Sequence, residues 1–470
     1  MLTLDGSTLE GGGQLVRVAL SLSSICSIPV RVTNIRANRS SRASRQSSKN
    51  SSNKSGSRHD RSGNRRVGGG GGGGHGGGLK ESHLAAVNWL AEQCNADVQG
   101  NEVGCSEIVF KPSRKTTTVC ARSVPTGNQT DTVADVIALQ KPGSVWLIWQ
   151  AIFPCIALRL MDHSLHEPSS RPTKPFRITL KGGTNVPKSP STEYVRQVLL
   201  PLCEKIGLPK VDVNLVQRGW AGSAPEIGHV ELTVHRPNTR RSELSHPPPS
   251  GHHASRLLEP QHLLAPFTLS SRGPITHVVM TIVSGSSTTQ SCLESDLRQA
   301  LSARSLLSSV PVSVHPSSGL SGDERRLYIL LVAHTSDGHR LGRDYLGTGR
   351  KVTSDPDRRG VVTEAVARVV RDFTRECESN NAGVDEFAED QLVIFQALAA
   401  GATNVEPARP VRAQGSDLNQ HPDRPGSTAV RPRQNNETGS LHTRTVRWVC
   451  GQMLGTMFDG HGGCKGMLDL

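Results

Sequence analysis

Aromatic residues are scarce in this chain. Five Trp, three Tyr and eight Phe stand among 470 residues, and the apolar share is only 35%. So thin a supply excludes one uniformly packed body of that length and fits a folded protein diluted by polar insertions. Cysteine pairs are missing too. The ten cysteines (Cys26, Cys94, Cys105, Cys120, Cys155, Cys203, Cys292, Cys377, Cys450 and Cys464) include no C-x-x-C pair, so they read as reduced core thiols rather than a disulfide frame or zinc site. No apolar run is long and clean enough to span a bilayer, because the most apolar stretch, GSVWLIWQAIFPCIALRL, holds Gln150 and Pro154. The chain opens with MLTLDGS, straight into a strand and turn without a secretory leader, so a soluble intracellular protein is expected.

Acid is the other shortage. Lys and Arg number 54 against 41 Asp and Glu, a formal charge of +13 that fits a polyanionic partner. The excess is unevenly spread. Between Arg39 and Arg66 nine Lys or Arg face a single acid, Asp60, so that tract alone carries +8. It reads either as a nonspecific contributor to nucleic-acid affinity or as solvated linker.

What remains after the low-complexity segments are set aside has a rhythm. The segments are 40–77, which runs from SSRASRQSSKN into VGGGGGGGHGGG, and roughly 113–131, 237–256 and 408–438. A strand MLTLD, a glycine turn and a helix from about Gln14 come first, then the strand PVRVTNIRA. The helix SHLAAVNWLAEQC follows, with Leu84, Val87, Leu90 and Ala91 on one stripe, and then a hairpin, ADVQG with SEIVFKP. The order returns in helix 143–161, strand FRITLKGG, helix STEYVRQVLLPLCEKIG and two further strands. A third, incomplete copy is expected around FAEDQLVIFQALAAG, with a separate α/β piece over 270–350 built on strands ITHVVMTIVSG and RRLYILLVAHT. The expected class is α/β: tandem β-α-β-α-β-β units in a large domain, a smaller inserted α/β domain, and disordered insertions. The expected boundaries are 1–236, a linker at 237–256, an insert domain at 257–355, and a final part at 356–470.

Three stretches bear on chemistry. EGGGQLVRVALSLSSI starts a helix with glycines, which let backbone N–H groups approach an anion that the helix dipole also favours. Glu10 there suits a divalent cation bridging to a phosphate. Gln14 and Arg17 share a helix face, and Arg17 in an apolar run either pairs with a core carboxylate or points into a pocket. Arg36 and Arg39 end the next strand, ready for bidentate phosphate contact. In VDEFAEDQLVIFQALAAG, Phe387, Asp390 and Gln391 fall at i, i+3 and i+4. They are either a core ring with solvated neighbours or a ring that stacks on a base with polar groups beside it. His442, in GSLHTRTVRW, lies near a strand-to-helix junction, while His75 and His83 read as ordinary residues. LKGGTNVPKSP is a Gly/Pro loop that either walls a pocket or merely connects.

Taken in order, LDGSTLEGGGQLVRVALSLSSI…VRVTNIRANR, GLKESHLAAVNWLAE, PGSVWLIWQAIFP, GGTNVPKSP, VDEFAEDQLVIFQALAAG and SLHTRT resemble the signatures of the RNA 3'-terminal phosphate cyclase family, from residue 1 to about 455. The resemblance implies a nucleus-located ligase that uses ATP and Mg²⁺ or Mn²⁺ on an RNA with a 3'-terminal phosphate, with no membrane and no obligate protein partner. A histidine attacks the α-phosphate of ATP, AMP passes to the RNA 3'-phosphate, and the neighbouring 2'-OH displaces it to leave a 2',3'-cyclic phosphate. His442 takes the nucleophile's place and Glu10 the metal-binding carboxylate's. Arg17, Arg36 and Arg39 take those of the phosphate-contacting arginines, and Gln14 belongs to the same nucleotide site. Gln150 and Gln391 fall where the family contacts the sugar, Asp390 beside the base, and Phe387 and Pro190 where adenine is sandwiched. The chain departs from the pattern where Phe387 replaces a common Tyr, Ser82 a common Gln, and GWAGSAPEIG a common glycine triplet. A related noncatalytic type, an RNA-binding factor of ribosome assembly, lacks the histidine.

Overall fold

A computed structural model of the protein describes residues 1–37, 77–113, 135–162, 175–222, 224–237, 264–378, 382–407 and 439–467. Arg39, and all but edge residues of the four low-complexity segments, lie outside them.

The first unit comprises β1 (Leu2–Asp5), α1 (Gly13–Cys26), β2 (Val30–Thr33), α2 (Glu81–Cys94), β3 (Asp97–Gln99) and β4 (Ile108–Lys111). Alternation in VRVT turns Val30 and Val32 inward, and the strands run in the order β1-β2-β4-β3. β1 and β2 are parallel and the other pairs antiparallel. The second unit comprises β5 (Asp135–Ala138), α3 (Val145–Met161), β6 (Phe176–Gly182), a helix in three pieces, β7 (Val211–Gln217) and β8 (Gly228–Val234). The pieces are α4 (Thr192–Tyr194), a π segment (Val195–Leu199) and α5 (Leu200–Lys205). Its strand order, β5-β6-β8-β7, and its pairing senses repeat those of the first unit. β5 escapes the sequence reading, because four residues with only Ile137 buried are too few for alternation to show.

The third unit is split. β9 (Thr268–Leu269) opens it, and the chain then leaves for β10 (Ile275–Ser284), α6 (Ser287–Ser302), β11 (Val312–Val314), β12 (Gly319–Leu320), β13 (Tyr328–Thr335), β14 (Arg340–Leu346) and α7 (Asp355–Glu378). It returns with α8 (Glu386–Leu398), β15 (Thr403–Val405), α9 (Leu441–Leu454) and β16 (Gly463–Cys464). β9 is parallel to β15 and β15 antiparallel to β16, which matches the first three positions of the other sheets.

The excursion builds a second core. On one face of the β11-β10-β13-β14 sheet, Met280, Ile282 and Leu331 meet Leu297 of α6 and Val366 and Phe373 of α7. α7 thus packs with the insert rather than with the final part, where the boundary at 355 put it, because its stripe Val362, Val366, Val369 and Phe373 needs that sheet face. The opposite face, with Val283, Leu330 and Val332, joins the larger core. No helix among the described residues is long and apolar enough to cross a membrane.

Candidate active site

The leading helices of the three units, α1, α3 and α8, begin differently. α3 is capped by Ser144, whose hydroxyl accepts from the Leu147 amide at 3.4 Å. α8 is capped by the Asp385 carboxylate, which takes the Phe387 and Ala388 amides at 3.0 and 2.8 Å. α1 starts at Gly12 with no side-chain cap and no acid in its first turn, which leaves its amide end available to an anion. Space explains the glycines: a Cβ on Gly12 would run into the Glu10 carboxylate, and one on Gly13 into the His83 ring and the Arg17 guanidinium.

Polar side chains link the three helices. Gln14 Nε2 donates to Asp390 Oδ2 at 3.2 Å, and Gln14 Oε1 accepts from Arg17 Nη2 at 2.7 Å. Arg17 Nε then donates to Gln150 Oε1 at 2.7 Å. Gln14 and Arg17 are only 3% and 8% exposed, so each bond replaces water that neither group retains. Burial raises the Asp390 carboxyl to about 7, although the Gln391 amide bond at 2.8 Å and the Arg17 charge pull the other way. Gln150, Pro190, Asp390 and Gln391 line one cleft, whose apolar wall includes Trp149 and Phe395. The Gly/Pro loop after β6 is thus a pocket wall.

His442 is the second residue of α9, capped by Ser440, and its ring is half exposed. Its Nδ1 lies 3.9 Å from Glu10 Oε2, on a carboxylate side chain that is only 7% exposed. The N-terminus of α9 is bolted from two sides. Glu389 of α8 accepts from Thr443 Oγ1 at 3.1 Å and Arg447 Nη2 at 3.0 Å, and Thr445 Oγ1 accepts the Glu10 amide at 3.2 Å.

Other sequence-named residues sit elsewhere. Arg36 is buried, with φ +56, and its Nη1 donates to the Gly78 carbonyl at 3.1 Å, at the entry to α2. Phe387 does not line the cleft. It is 42% exposed, with the Arg343 guanidinium 4.2 Å over its ring and Tyr194 edge-on at 6.0 Å. Two further residues stand at the edges of the site. Arg343 reaches Phe387 from β14 of the insert, and no local pattern announces that. His83 takes the Lys80 amide on Nδ1 at 3.1 Å and turns its ring to Gly13, so it stands between α2 and the start of α1. Its one signal is a buried position in the first turn of α2.

No three His, Cys, Asp or Glu side chains converge into a metal cage among the described residues. The Glu10 carboxylate folded over Gly12 does fit an ion such as Mg²⁺, which takes one or two protein carboxylates and completes its shell with water and phosphate oxygens.

The family model described as RNA 3'-terminal phosphate cyclase matches residues 8–44 and 72–459. A protein of that name from Saccharolobus islandicus is 29% identical over 402 residues, covering 85% of this chain and 88% of the relative. One from Thermococcus onnurineus is 28% identical over 420 residues, covering 86% and 88%. One from Sulfolobus acidocaldarius is 32% identical over 219 residues, covering 47% and 46%. With three units meeting through Gln14, Arg17, Gln150 and Asp390, and the family matched on both sides of the 40–77 segment, the chain belongs to the RNA 3'-terminal phosphate cyclase family.

Proposed function

We propose that the protein converts an RNA 3'-terminal phosphate into a 2',3'-cyclic phosphodiester at the expense of ATP, through a covalent adenylate on His442. Family membership and the relatives' shared name support the reaction class and RNA as substrate. The position of His442 carries the mechanism: a half-exposed imidazole at a braced helix start, with Nδ1 3.9 Å from a buried carboxylate. With Nδ1 toward Glu10, Nε2 is the nitrogen left for attack.

In the first step a bond forms from Nε2 to the α-phosphorus of ATP, the bond from that phosphorus to the bridging oxygen breaks, and pyrophosphate leaves. The proton on Nδ1 faces Glu10, which steadies the charged imidazole. An oxygen of the RNA 3'-phosphate then attacks the same phosphorus and releases neutral His442. Finally the 2'-oxygen attacks the 3'-phosphorus, its proton goes to solvent, and AMP departs. The uncapped amides of α1 and the Arg17 guanidinium stabilise the phosphate charge. Glu10 would hold Mg²⁺ or Mn²⁺, which would supply neutralisation of the phosphate charge there. Gln150, Pro190, Asp390 and Gln391 hold the nucleoside in the cleft they line. A nuclear setting is part of the proposal: the family resemblance suggests it and the Ser/Arg/Gly-rich insertions fit it, while the relatives named above are archaeal.

The test is incubation with α-labelled ATP and Mg²⁺ beside His442→Ala. Acid-labile label on the denatured wild-type chain, reduced about 10³-fold or more in the variant, is expected. No label on either would leave the family standing and shift function to the noncatalytic RNA-binding type.

A further inference from the structure

The insert carries its own concentration of hydrogen-bond donors, away from the residues used above. Register places His277 of β10 opposite His334 of β13, and His334 opposite Arg340 of β14, so the three form one row across three strands. The two imidazoles stack, with centroids 4.1 Å apart and planes at 28°. His315, just after β11, accepts the Ser317 amide on Nδ1 at 3.1 Å, which leaves its hydrogen on Nε2.

This row lies on the sheet face that meets the π segment. There Gln197 Nε2 donates to Thr281 Oγ1 at 2.9 Å, and Arg340 Nη1 donates to the Gln197 carbonyl at 3.0 Å. Arg196, one residue earlier, is part-exposed, and its guanidinium makes no hydrogen bond or ion pair among the described residues. The charges of Arg196 and Arg340 both bear on His315, and that of Arg340 bears on His334. Two acids are near. Glu193 bears on His315 but is held by Arg218, and Glu204 bears on Arg340. Burial holds His334 down at about 4 and His315 below the usual range, so at neutral pH both are uncharged imidazoles beside Arg196 and Arg340.

The two guanidiniums are donors only, and each imidazole has one N–H to give, a set that suits a phosphate. Its extent points to a strand of nucleic acid rather than a lone anion. Neighbouring strands lie about 4.8 Å apart, so the row alone spans about 10 Å, more than one phosphate. The stacked imidazoles add a flat face for a base. Continuity points the same way, because Val195 and Leu199 of the same π segment line the nucleotide cleft.

We propose that Arg196, Arg340, His277, His315 and His334 bind the phosphodiester backbone of the RNA strand upstream of its reacting 3' end. The proposal rests on RNA being the substrate. It is tested with the full chain, Arg196→Gln and, separately, His334→Gln. Fluorescence anisotropy is read with a 3'-hydroxyl oligoribonucleotide of about a dozen nucleotides, which cannot be cyclised, and with a 3'-phosphorylated dinucleotide. For Arg196→Gln the oligomer's Kd should rise about 3- to 10-fold and the slope of log affinity against log salt should fall by about 1. His334→Gln should weaken the oligomer by a smaller factor, and dinucleotide binding and ATP-dependent self-labelling should hold in both. Unchanged oligomer affinity in both variants overturns the proposal, as does an equal loss for the dinucleotide. Pyrophosphate binding that is lost in Arg196→Gln while oligomer binding persists also overturns it, in favour of a free-anion site. Self-labelling separates the two readings. Label without a length-dependent loss keeps the cyclase and removes this site, whereas a length-dependent loss without label keeps this site and removes the cyclase.

Discussion

The first and second units share strand order and pairing senses, yet their leading helices are built on opposite principles. α3 is apolar almost all round, closes its amide end with Ser144, and spares one polar side chain, Gln150, for the centre. α1 leaves its amide end uncapped, crowds Glu10, His83 and Arg17 around Gly12 and Gly13, and buries Gln14 and Arg17. One topology therefore carries a capped, largely apolar helix in one copy and, in the other, an uncapped helix start crowded with polar side chains, which the proposed function assigns to phosphate.

Substitutions at the two helix starts should separate these roles. Gly12→Ala forces the Glu10 carboxylate aside, so self-labelling with ATP should fall about 10- to 100-fold and need more Mg²⁺, while Tm changes little. An unchanged Mg²⁺ titration would place Glu10 outside the reaction.

Asp390→Asn probes the point where the helices meet. The folded carboxyl sits at about 7, above its unfolded value of about 3.9, so its contribution to stability is complete below about 4 and is lost as pH rises through 7. Asn cannot ionise. The wild type should therefore lose several degrees of Tm relative to the variant between about pH 4.5 and 8. Parallel curves would mean that Asp390 ionises normally.

The smallest effect is expected at Ser144→Ala. Losing that cap should cost about 1 kcal/mol, or about 2 °C in Tm, with self-labelling within about twofold. A large loss of labelling would show that the second unit's cap is functional too and would erase the contrast.

Much of this was legible beforehand. The apolar stripes announced α1, α2, α3 and α8, the alternation in β2 and the hairpin of β3 and β4 were visible, and the repeat of the first two units followed from their order. Helical spacing groups Phe387, Asp390 and Gln391 on one side of the helix, and the last two do line one cleft. Phe387, on the same helix, was named with them but packs under Arg343 instead. Short strands such as β5 and β9 were invisible for lack of length.

Local periodicity determined which segments are helix or strand, which faces are apolar, and that Gln14, Arg17 and Gln150 are polar residues misplaced on apolar helices. Those properties depend on neighbours a few positions away, and any sequence displays them. Only the tertiary structure decided that Gln14 meets Asp390 across 376 positions and Arg17 meets Gln150 across 133. It alone brought His83 against Gly13, Arg343 over Phe387, and His315 of the insert near Arg196. A hydrogen bond needs its partners within about 3 Å, and that proximity comes from the packing of three separate units against one another.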